Sequence, residues 1–224
     1  MRTDFFYKNL RYVVGIVLAV LLIASIIFSN KACKNAQILP YEVEIYYLVT
    51  EDVHVQAGAE FVRLEGGAGY LLEKKGKEYV VLNVYFAQSD AKSVQDALSA
   101  LGRKTQVISL SENTVKSRDK QGYLRLQKYI GALQSMYGCM NVFSQSIMLL
   151  EKGETQERVK EMLLKISAHL TYLSKIYGDY NRYAQVCVKT AENLTLYKNE
   201  ILYVCDLRYI LCDMAYEYMK LMKV

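Results

Sequence analysis

The sequence predicts an α+β protein in three parts: a single N-terminal transmembrane helix, a small sheet domain of order β-α-β-β-α-β, and a C-terminal antiparallel helical bundle. Three observations predict it. An uncharged apolar run fills Tyr12–Phe28, strand-like and helical patterns interleave between residues 41 and 110, and helical periodicity alone remains from residue 122 onward. The 224 residues are 52% hydrophobic with a formal charge of +5. Residues 41–110 hold seven Lys/Arg against ten Asp/Glu, and residues 111–224 hold sixteen against twelve. So weak a polarity lacks the clustered basic face of a nucleic-acid binder, and no nucleic acid partner is expected.

The run YVVGIVLAVLLIASIIF, extended by Ser29, carries no charge and is long enough to cross a bilayer core. Residues 12–29 are therefore expected as a membrane span, preceded by a cytoplasmic stretch 1–11 and followed by a tether, 30–40. Arg2, Lys8 and Arg11 precede the run, and Lys31 and Lys34 follow it. That bias puts the N-terminus in the cytoplasm and the bulk of the chain outside. A cleaved signal peptide competes with this reading, but the run exceeds a usual signal core and no small-x-small site follows. Asn30 and Lys31 stand before Cys33, where a lipoprotein signal wants apolar and small residues.

Residues 41–110 read as the sheet domain. EVEIYYLV at Glu42–Val49 alternates Val43, Ile45, Tyr47 and Val49 on one side of a strand. Thr50 offers a cap for a helix with Val53, Ala57, Phe61 and Leu64 on its inner stripe, stopped at Gly66, the alternative being a strand at His54–Gln56, where VHVQ alternates. Ala68–Glu73 is the next strand, Lys74-Lys75-Gly76-Lys77 the turn, and Glu78–Phe86 the third strand. Strict alternation there separates an apolar face (Val80, Leu82, Val84, Phe86) from a face of Tyr79, Val81, Asn83 and Tyr85. Ser89 then caps a helix whose stripe is Ala91, Val94, Ala97, Leu98 and Leu101, ended by Gly102, and Thr105–Leu110 completes the sheet. The order is that of a split βαβ, or ferredoxin-like, unit, in which both helices cover one face and leave the other open.

GGAGYLL, GKEYVVLNVY and SDAKSVQDAL, between Gly66 and Leu98, resemble the second half of a SPOR (sporulation-related repeat) domain in its divergent Firmicutes form. The family's glutamine-x-glycine-x-phenylalanine is absent from the first strand at Tyr46–Thr50, and the domain is internal to the chain. The resemblance implies binding of peptidoglycan glycan strands on the open sheet face, and a bacterial membrane protein acting in cell division or sporulation. Tyr79, Asn83 and Tyr85, joined by Tyr46, offer rings for sugar C–H surfaces and polar groups for sugar oxygens, and are the candidate peptidoglycan-binding residues.

Residues 111–121 read as a polar linker and 122–224 as the helical region. Leu126, Ile130, Leu133, Tyr137, Met140, Phe143 (or Val142), Ile147 and Leu150 mark a first helix. Val159, Met162, Leu163, Ile166, Leu170, Leu173 and Ile176 mark a second, capped by Thr155. A third is expected from about Tyr180 to Met222, with Ala184, Cys187, Ala191, Leu194, Ile201, Cys205 and Met219 inward. Its tyrosines (Tyr183, Tyr197, Tyr203, Tyr209, Tyr216, Tyr218) read as core packing and snorkelling.

The five cysteines show no CxxC spacing, only His54 and His169 could complete a metal site, and Cys139, Cys187, Cys205 and Cys212 read as small apolar residues of helix packing. No nucleophile–base pair, phosphate-binding glycine loop or metal spacing is visible, so the chain reads as a non-enzyme without catalytic residues, metal or cofactor. Two functions remain: a membrane-anchored protein that binds wall glycan, or an envelope scaffold whose C-terminal helices bind a partner protein.

Overall fold

The computed structural model describes residues 41–50, 55–113 and 120–223. The expected membrane span at 12–29 lies outside them. Strands β1 (Glu42–Thr50), β2 (Tyr70–Lys74), β3 (Lys77–Tyr85) and β4 (Thr105–Asn113) form one antiparallel sheet in the order β2-β3-β1-β4. Helices α1 (Val55–Leu64) and α2 (Gln88–Ala100) connect them in the expected β-α-β-β-α-β sequence. Four more helices follow: α3 (Lys120–Glu151), α4 (Gln156–Ile176), α5 (Asn181–Leu196) and α6 (Val204–Leu221). Pro40–Val115 and Leu126–Val224 make one compact unit.

The three-part fold is corrected by this arrangement. Among the described residues no helix is long and apolar enough to cross a membrane. The helices outweigh the sheet, and they do not form a bundle of their own. Ile45, Tyr47, Val49, Val81 and Val84 share one buried cluster with Leu133, Phe143, Leu207, Leu211 and Tyr218. The face expected to be open is covered by α6, where Tyr70 of β2 meets the rings of Tyr209 and Tyr216 at 5.3 and 6.2 Å. Stripping α6 away would expose at least five large apolar side chains of the sheet, at about 1.5–3 kcal/mol each. Their sum is on the order of 10 kcal/mol, comparable to the whole stability of an ordinary domain. The cover is therefore part of the core and not a removable lid.

The opposite face carries α1 and α2, but with helix faces other than those expected. Val62 is 2% exposed and Gly58 is buried, whereas Phe61 and Leu64 point to solvent. Gly58 and Val62, four residues apart on one helix face, turn inward together. The return to β2 is equally tight: a Cβ on Gly67 would stand 2.5 Å from the Val62 side chain. In α2 only Ala91 is fully buried, and Val94 and Leu101 are exposed. Gln95 turns inward instead and donates to the Thr105 carbonyl at 2.8 Å. Ser89 does not cap this helix: Ala87 occupies the cap position, and the Ser89 hydroxyl bonds the Asp90 carboxylate.

The expected third long helix is two helices. Residues 197–203 interrupt it, and Leu202, 4% exposed, donates its backbone N–H to the Gln156 side chain at 3.1 Å. That anchor turns the chain back so that α6 can lie on the sheet. Thr155 caps α4 as expected, accepting from the Arg158 N–H. Tyr183 and Tyr218 are fully buried, and Tyr183 donates to the Ala132 carbonyl at 2.8 Å. Cys139, Cys187 and Cys212 are buried, Cys205 is half-buried, and none of the four is disulfide-bonded.

Candidate functional site

The four residues singled out for glycan do not share one face. Strict alternation fails in β3, where the register against β1 slips: Val81 opposes Val49, but Asn83 opposes Leu48. Directly opposed residues lie on the same side of an antiparallel pair. Leu82 is thus the extra residue of a bulge, and it reverses the facing of everything beyond it. Tyr79, opposite Leu72, packs against the core beneath α6. Asn83 and Tyr85 lie opposite Leu48 and Tyr46, so the structure brings Tyr46, Asn83 and Tyr85 together and leaves Tyr79 apart. Burial raises the pKa of the Tyr85 phenol, opposed by a hydrogen bond from Asn83 and by the Arg208 charge.

A different site forms where β3 stops. Its last pairing with β1 is Tyr85 to Tyr46, so the β3-side edge of β1 from Glu42 to Ile45 has no partner strand among the described residues. Phe86 leaves the sheet there and meets Tyr137 of α3 edge-on, with centroids 5.4 Å apart and planes at 80°. The space between them is a cleft of about 350 Å3 whose lining includes Tyr41, Glu42, Glu44, Tyr46, Phe86, Gln88 and Tyr137. Four aromatic rings, two carboxylates and one carboxamide thus converge on one concavity.

The rings are held from behind. Tyr137 packs at 6.0 Å on Tyr218, whose hydroxyl donates to that of Tyr41 at 3.2 Å. Tyr46 donates to the Glu44 carboxylate at 2.8 Å, and that bond raises the phenol's pKa. Burial raises the pKa of Tyr137, reinforced by neighbouring Tyr41 and opposed by a hydrogen bond from Asn141. Glu42 and Glu44 are exposed, so their carboxylates stay in contact with water. The cleft can therefore stack flat, partly apolar ligands and accept hydrogen bonds from their polar edges.

Of the residues expected from sequence, Tyr46 alone lines this cleft. Glu42 and Glu44 alternate with the inward residues of β1 and could have been read as its outer edge. Alternation along the sequence puts Phe86 on an apolar strand face, and helical periodicity puts Tyr137 in the core of a separate bundle. Their convergence depends on where β3 ends, which no local pattern announced. No family model, no curated protein and no solved structure matches this chain.

Proposed function

We propose that this protein is a non-catalytic component of the bacterial cell envelope that binds peptidoglycan glycan strands in cell division or sporulation. The observation that carries the reading is the aromatic cleft at the end of β3, whose rings and polar groups suit a saccharide and whose size suits one or two sugar units. The resemblance of Gly66–Leu98 to the SPOR family supports the ligand class. The cleft, and not the sheet face occupied by α6, is the place of binding. Localisation outside a cell membrane rests on the amino-acid sequence from Arg2 to Lys34.

Sedimentation of the full-length protein with amidase-treated cell wall tests this. The protein pellets with the wall, and a Tyr46→Ala/Phe86→Ala variant loses most of that binding while a Tyr79→Ala variant keeps it. Absence of the wild-type protein from the pellet would sink the reading.

A second reading, an envelope scaffold that binds a partner protein through its C-terminal helices, is favoured by an apolar groove of about 490 Å3 between α3 and α4. Its lining includes Gly138, Cys139, Val142, Met162 and Ile166, with Lys165 and His169 at its rim. A Val142→Asp variant that still pellets with wall but loses its position in the cell would support the scaffold; unchanged localisation would remove it.

A further inference from the structure

We infer that the cleft selects glycan carrying free amino groups, that is, glucosamine units that have lost their N-acetyl group, over fully N-acetylated strands. The inference rests on the glycan reading above and concerns which glycan. Two formal negative charges, Glu42 and Glu44, line the cleft, and no Lys or Arg lines it. Two lysines at the C-terminal end of α6 and just beyond it are engaged elsewhere: Lys223 pairs with Glu112 at 3.0 Å, and Lys220 with Glu217 at 2.7 Å. Lys220 moreover lies over the ring of Tyr216, 4.1 Å from its centroid.

Two kinds of negative potential thus act on anything that enters. The carboxylates carry formal negative charge, and the faces of Tyr41, Tyr46, Phe86 and Tyr137 carry the negative side of the aromatic quadrupole, which attracts ammonium groups. An acetamido group satisfies neither. It replaces a charge donor by a neutral amide and leaves the carboxylates to be desolvated without a cation. The Tyr46 hydroxyl donates to Glu44, so one oxygen of that carboxylate is held in place and the other is left for a ligand donor. The main-chain edge of Glu42–Ile45, unpaired on the β3 side among the described residues, supplies further acceptors alongside.

Calorimetric titration of the full-length protein with a β-1,4-linked glucosamine tetramer and its N-acetylated counterpart, in mildly acidic low-salt buffer, tests this. The glucosamine tetramer is expected to bind about ten-fold tighter or more, with the advantage shrinking at high salt because the site is open to solvent. A Glu42→Gln/Glu44→Gln variant removes the advantage, so that the two tetramers bind alike. Both side chains are exposed, so that variant folds; a Phe86→Leu variant weakens both ligands together. Equal affinity for the two tetramers would overturn the selectivity while leaving the glycan reading in place. So would a preference that survives in the double glutamine variant. Binding of neither tetramer, nor of amidase-treated wall, would overturn the glycan reading and this inference with it.

Discussion

The guanidinium of Arg208, on α6, donates to the carbonyl oxygen of Gly66, at the end of α1, over 2.7 Å and 142 residues of chain. A second nitrogen of the same group bonds Glu151 at the end of α3. One side chain thus ties the C-terminal helix to both the sheet unit and the first long helix, beside the Arg63–Asp206 ion pair between α1 and α6. Charge-assisted hydrogen bonds of this kind contribute about 1.5–3 kcal/mol. Arg208→Met should lower the stability by about 2 kcal/mol, read from the urea midpoint at unchanged slope. A change below 0.5 kcal/mol, the size of an ordinary surface substitution, would mean that the latch contributes nothing.

Tyr47 makes the opposite prediction. Its side chain is fully buried under α6, and its hydroxyl has no hydrogen-bond partner among the described residues. A buried, unsatisfied polar group costs about 1–3 kcal/mol, and removing the hydroxyl alone leaves the ring's packing intact. Tyr47→Phe should therefore stabilise the protein by about 1 kcal/mol. Destabilisation in the same denaturant titration would show that the hydroxyl is bonded in solution.

Gly69 sits at φ +61°, and a Cβ there would stand 2.5 Å from both the Ala59 carbonyl oxygen and the Arg63 side chain. Strain and overlap act together, because the carbonyl belongs to helix backbone and cannot swing away. Gly69→Ala should cost about 2–4 kcal/mol. Gly76→Ala, also at positive φ but with open space around it, should cost less. Equal losses would leave the contact with α1 without effect.

Stability should fall steeply in alkali. Burial raises the pKa of Tyr47, Tyr70, Tyr183 and Tyr218, pushes Tyr129 up to about 12, and pushes the thiols of Cys139 and Cys187 up to about 11 and 12. The unfolded chain loses these protons from about pH 9 or 10 upward, whereas the folded chain keeps them. Above that range the unfolded state binds fewer protons, so stability declines as pH rises. The tyrosinate absorbance of the buried rings should then appear in a cooperative step coinciding with loss of helical signal. Ionisation of all the tyrosines with the helices intact would contradict the buried rings.

Some of this architecture was legible. Lys75 and Gly76 both take positive φ, as a two-residue hairpin turn demands, and Lys74-Lys75-Gly76-Lys77 announces that turn. Gly66 and Gly102 end their helices as expected. The face of α1 was not legible, since the buried Gly58 carries no hydrophobic signal. The Leu82 bulge was hidden in an apolar run where either facing reads as buried. The break at 197–203 has neither Gly nor Pro; it is set by Leu202 and Gln156, a tertiary contact. The site was legible at Tyr46 only, because Phe86 and Tyr137 become its walls only once α3 and the end of β3 meet.

Hydrogen exchange of the full-length protein, with and without denuded glycan strands, tests the central claim most directly. Glycan in the cleft should slow exchange at residues 41–46 and 86–88 and leave α6 unchanged, with α6 and β1 opening only together in the free protein. Faster exchange across Val204–Leu221 on adding glycan, with new protection along the centres of β1 and β3, would contradict it, because the sheet face would then be the binding surface and α6 its displaced cover.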